Sequence, residues 1–77
     1  MATTNVSNIA ILDNRFSLYS DTEGMAITLG TGVGCMVDGN SAFYGSTAPA
    51  TNPYKDGGTN DWGRNYSGGI AVMPVIN

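Results

Sequence analysis

From Met25 to Val37 every odd position carries Met25, Ile27, Leu29, Thr31, Val33, Cys35 or Val37, an apolar alternation broken only at Thr31. A period of two places these side chains on one face of an extended strand. The positions between them, Ala26, Thr28, Gly30, Gly32, Gly34 and Met36, are nearly all small. Such a face looks onto solvent or lets a second backbone lie close against it. Asp38-Gly39 follows at once and predicts a two-residue type I′ turn between two strands. The return strand then runs from Asn40 to Gly45, with Val37 paired to Asn40 and Cys35 to Ala42. In this register Phe43 faces Gly34 and its ring covers bare backbone, while Val33 faces Tyr44.

The flanks carry weaker patterns. Ile9 and Ile11, then Phe16 and Leu18, alternate around Asp13-Asn14-Arg15 and predict a second hairpin; Ile9, Leu12, Phe16 and Tyr19 also fit helical spacing, so both readings stay open. Asp21-Thr22-Glu23-Gly24 reads as a turn in which Gly24 takes positive φ. From Ser46 to Asp61 the chain is rich in Pro, Gly, Asn and Thr, which predicts a long irregular loop over about 46–69. Ile70 to Ile76 reads as a final apolar strand, with Pro74 forcing it to a sheet edge. No internal repeat stands out. The expectation is a mainly β chain, a small antiparallel sheet or β-sandwich. It forms a single domain over 1–77 with extended termini.

Stability is the next constraint. A chain of 77 residues buries only about 60% of its unfolded surface, and 11 glycines add backbone entropy without adding core. Small domains compensate with disulfides, a metal or association. Cys35 is the single cysteine and histidine is absent. Neither an intrachain disulfide nor a four-ligand zinc site is therefore available. Association, with itself or with a larger partner, is what this elimination leaves.

Charge narrows the partner. The bases are Arg15, Lys55 and Arg64, and the net charge is −3. No basic stripe exists for phosphates, so nucleic acid is not an expected partner. Residues 1–8 lack a basic and apolar leader, and no apolar run approaches the ~20 residues of a membrane span. Neither secretion nor a membrane is expected.

Catalytic and cofactor motifs are weighed and set aside. Gly30-Thr31-Gly32-Val33-Gly34 lacks the third glycine and the helix of a dinucleotide loop, and lacks the Lys-Ser or Lys-Thr of a phosphate loop. Asp56-Gly57-Gly58-Thr59-Asn60-Asp61 misses the calcium-loop pattern at Gly58, Asp61 and Ser67, leaving at most a weak cation site at Asp56, Asn60 and Asp61. Cys35 has no histidine to activate it. The expectation is no catalytic residue, no cofactor and no metal. Tyr54, Trp62 and Tyr66 offer large contact area at low entropy cost. With Ile70, Val72, Val75 and Ile76 they form the expected interface.

In layout the chain resembles the small virion proteins that decorate or cement bacteriophage capsids. The shared features are a compact β body over Met25 to Gly45, extended termini, few charges, and Tyr and Trp set among Gly, Thr, Asn and Ser. The resemblance implies a non-catalytic protein that bridges neighbouring coat subunits in a virion and is made in the host cytoplasm. Two alternatives stand beside it. One is a small phage-encoded inhibitor of a host protein; the other is a carbohydrate-binding module stacking sugars on Trp62, Tyr54 and Tyr66.

Overall fold

The structure is a computed structural model that describes residues 1, 3, 6–18, 25–44 and 52–76. It is mainly β, with no helix among the described residues. The strands are β1 (Ala10–Leu12), β2 (Arg15–Leu18), β3 (Ile27–Leu29), β4 (Val33–Asp38), β5 (Ser41–Tyr44), β6 (Tyr54–Asp56), β7 (Thr59–Trp62), β8 (Asn65–Ser67), β9 (Ile70–Val72) and β10 (Val75–Ile76).

The strands do not pair with their neighbours in sequence. β1 lies parallel to β4 with Ala10 against Met36, and β4 lies parallel to β7 with Met36 against Asp61. β2 pairs β5, β5 pairs β8 and β3 pairs β6, again all parallel. Each partner lies one circuit further along the chain, as in Ser41 with Tyr66 or Ile27 with Tyr54. The chain therefore winds as a short β-solenoid whose circuits stack into three sheets: β3-β6-β10 (sheet I), β1-β4-β7 (sheet II) and β2-β5-β8-β9 (sheet III). Met1 joins sheet I, because Thr28 N donates to Met1 O and Thr3 N donates to Thr28 O, bracketing Thr28 as a parallel ladder does.

This corrects the hairpin expected at Asp38-Gly39. Gly39 does hold positive φ, at 73°, but it turns a corner from sheet II to sheet III instead of reversing the chain. Asp13 sits in the preceding circuit at φ 54° and turns the same corner from β1 to β2, so the second expected hairpin is also a corner. Phe43 does not cover Gly34. It packs beneath the Arg15 guanidinium, whose carbon lies 3.9 Å from the ring centroid. The antiparallel sheet or sandwich gives way to parallel sheets, and a repeat that side chains alone conceal becomes visible in the backbone.

The alternation over 25–37 survives as two strands with a corner between them. Ile27, Leu29, Cys35 and Val37 are all buried, whereas Val33 is exposed. Of the two readings open for the small intervening residues, solvent or a close second backbone, Gly32 shows the second. A Cβ on Gly32 would collide with the Val6 carbonyl oxygen, and one on Gly58 with the Gly32 carbonyl oxygen. These corners stack one under the next with no room for a side chain. The core runs up the axis as columns: Ile11 above Val37 above Trp62, and Ile27 above Tyr54.

The region expected to be a loop over 46–69 contains β6, β7 and β8, which form the third circuit. Its polar residues do structural work. Asn52 Oδ1 receives the Tyr54 N–H, and Asn65 is fully buried. The turn expected at Asp21–Gly24 lies outside the described residues.

Candidate functional site: the C-terminal end of the solenoid

The chain's one antiparallel pair among the described residues closes the third circuit. Gly68 and Gly69 take φ of 58° and 85°, and Ser67 pairs with Ile70 across them. Consecutive residues at positive φ make a type I′ turn, for which Gly-Gly is suited. The hairpin is therefore at Gly68-Gly69. β9 folds back along β8, Met73 and Pro74 carry the chain across, and β10 settles parallel to β6 at the edge of sheet I. The edge position expected of the segment bearing Pro74 is thus observed. Asn52 Nδ2 donates to the Met73 carbonyl and fixes the crossing.

This terminal segment leaves large apolar side chains in solvent. Ile70 is 70% exposed, Met73 65%, Val75 47% and Ile76 67%. Two of them stand on the inward side of their sheets: Ile70 pairs with buried Ser67, and Ile76 with buried Asp56. Sheets I and III each continue past the third circuit through β10 and β9, but among the described residues sheet II has no strand beyond β7. A recess of about 420 Å³ opens beside that missing position, lined by Gly63, Arg64, Ala71, Val72 and Met73.

The remaining expected interface residues fall elsewhere. Tyr54 is fully buried, its hydroxyl donating to the Tyr66 carbonyl at 2.6 Å, so its ring offers no contact surface. Trp62 is half-buried; it meets Tyr54 edge to face at 6.0 Å and donates its Nε1–H to Asp56 Oδ2 at 2.9 Å. Tyr66 is half-buried and Val72 half-buried on β9. The three rings thus share no exposed platform on which a sugar would stack.

Asp56 and Asn60 meet, but Asp61 stands apart from them. Asp56 Oδ1 accepts from Gly58 N at 2.9 Å and from Asn60 Nδ2 at 2.8 Å. Asn60 Oδ1 accepts from Cys35 N at 2.9 Å. Asp61 is exposed, between inward-directed Asn60 and Trp62. The buried carboxylate is thus held by three protein donors, a structural bracket between β6 and β7. Cys35 is buried, its thiol directed at the Val6 carbonyl.

A feature that the sequence reading missed runs through the core beside this end. Asn14 and Asn40 occupy successive circuits, and Asn65 the next. Asn14 donates from N and Nδ2 to Asn40 Oδ1, and Asn40 donates likewise to Asn65 Oδ1. Asn40 Nδ2 also reaches the Ile11 carbonyl, and Asn65 Nδ2 the Val37 carbonyl. The signal was an apolar residue followed three positions later by Asn: Ile11 and Asn14, Val37 and Asn40, Trp62 and Asn65.

No protein-family model, curated protein or solved structure matches the chain.

Proposed function

We propose that this chain is a non-catalytic structural and assembly protein, a virion component that decorates or cements a capsid by bridging neighbouring subunits. The observation that carries this reading is the terminal segment, with Ile70, Met73, Val75 and Ile76 at 47–70% exposure within seven residues. Apolar surface gathered in this way is costly in water and is a mark of protein contact. An open strand edge beside it adds unpaired backbone groups that a partner satisfies. The partners are further copies of the chain and a larger coat-type protein, and the site of action is the particle assembled in the host cytoplasm.

The test is association measured with and without charge at this end. The wild-type chain should oligomerise in light scattering at micromolar concentration or co-sediment with purified particles. Ile70→Lys together with Ile76→Lys should abolish both while leaving the circular dichroism spectrum and melting midpoint in place. A wild-type chain that is monomeric and absent from particles refutes the reading.

A further inference from the structure

We propose that the missing position of sheet II, beneath β7, is a slot for one extended segment of a partner protein. The inference rests on the assembly reading above and names the kind of contact it uses.

The backbone of β7 sets the first requirement. Thr59 N donates to Gly32 O, and Gly63 N donates to Val37 O, so these residues face β4. Alternate residues of a strand direct their N–H and C=O to opposite sides. Asn60 and Trp62 therefore present theirs to the free edge, where sheet II has no further strand among the described residues. An added strand would complete that ladder, the mode called β-augmentation.

The neighbouring sheets decide how large the occupant is. β10 and β9 already fill the fourth level in sheets I and III. A complete circuit of a second folded copy, brought up to β7, would have to occupy the same space as β9 and β10. A single strand does not. It enters between them, with Ile76 on one flank and Val72 on the other.

Column chemistry then decides what the occupant carries. In the solenoid Ile11 stacks on Val37, which stacks on Trp62. Two residues further on, Asp13 stacks on Gly39, and Gly39 N donates to the Arg64 carbonyl below it. Arg64 is exposed and lines the recess, its backbone N–H held by Asp38 Oδ1. A strand repeating this register beneath β7 places apolar residues under Asn60 and Trp62 and the second residue beyond under Arg64. The fitting segment is thus apolar-x-apolar-x-acidic, its carboxylate complementary in charge to the exposed Arg64.

A probe exists within the chain. The synthetic peptide Ser-Asn-Ile-Ala-Ile-Leu-Asp-Asn, the sequence of residues 7–14, has this pattern and already lies parallel on sheet II as β1. Added to the full chain, it should slow amide exchange of Asn60 and Trp62 at least tenfold and change Trp62 emission. The same peptide with lysine in place of its aspartate should bind at least tenfold more weakly, and Arg64→Glu should reverse that preference. Ile76→Lys should weaken binding without lowering the melting midpoint.

The slot is overturned if the peptide leaves the Asn60 and Trp62 amides unprotected. It is equally overturned if protection appears only at Ala10 and Leu12, or if a scrambled peptide binds equally well. Particle association without peptide binding removes the slot alone. Peptide binding by a chain that never associates with particles removes the virion reading and keeps the slot.

Discussion

Asn40 gives both its backbone N–H and its Nδ2 to Asn65 Oδ1, at 3.1 and 2.8 Å, while its own Oδ1 receives the same pair of donors from Asn14. One fully buried side chain thereby links three circuits. In a stack stabilised mainly by nearest-neighbour contacts, a residue that serves two interfaces matters more than one at an end.

Asn40→Ala should accordingly destabilise the fold by about 3 kcal/mol, since it removes the Nδ2 donor shared by Asn65 Oδ1 and the Ile11 carbonyl and leaves the two Asn14 donors without their acceptor. Asn14→Ala, on the exposed first circuit, should cost about 1 kcal/mol. Urea titrations of both variants check this ranking; equal losses would mean that the ladder does not couple the circuits.

The stacked corner at Gly32 makes a prediction of a different kind. A methyl group there meets the Val6 backbone carbonyl, which cannot give way without shifting the main chain stacked above. Gly32→Ala should destabilise by about 2 kcal/mol or more, as overpacked positions do. At Gly69 a Cβ meets nothing within 4 Å, but φ is 85°. Gly69→Ala should therefore cost about 1 kcal/mol through backbone strain alone. Thermal melts distinguish the two.

Gly39→Val should be more damaging than either. It forces a β-branched residue to φ of 73° and drives its Cβ into the Asp13 carboxylate. Asp13→Ala in the same chain should recover part of the loss by making room. No recovery in the double variant would show that conformation, not collision, sets the cost.

Asp56 offers a spectroscopic check. Asp56→Asn replaces one acceptor oxygen with an amine facing the Gly58, Asn60 or Trp62 donors. The variant should lose about 2 kcal/mol, the scale of a hydrogen bond to a charged group, and Trp62 emission should move to the red as the ring loosens. An unchanged spectrum would show that the carboxylate does not hold the indole.

Cys35 reports on opening of the whole stack. It lies within the second circuit, its thiol directed at the Val6 carbonyl of the first, and the residue is 1% exposed. A thiol reagent should modify it only through unfolding, at a rate that rises with urea in step with the global transition. Rapid modification under native conditions would place local opening at the Val6 and Gly32 corner.

Much of this was present in the chain as local pattern. Alternation marked Ile27, Leu29, Cys35 and Val37 as inward, small residues marked a face open to solvent or to a second backbone, and Pro74 marked an edge segment; each reflects short-range geometry that a strand imposes wherever it is placed. The terminal residues Ile70, Val75 and Ile76 were legible as surface for the same reason, being apolar beside a proline.

Pairing was another matter. Gly39 at positive φ suits a hairpin turn and a solenoid corner equally, so Asp38-Gly39 by itself does not choose between them. The choice lies in hydrogen bonds from β4 to β1 and β7, a full circuit away in either direction, and in the donors and acceptors that Asn14, Asn40 and Asn65 share. Tyr54, which sequence placed at an interface, is in the core because its hydroxyl finds the Tyr66 carbonyl in the next sheet. Sequence determined which faces are apolar and where the chain can bend; only the stacked circuits decided which strands meet, because each bend satisfies its own backbone while every ladder depends on residues that only folding brings side by side.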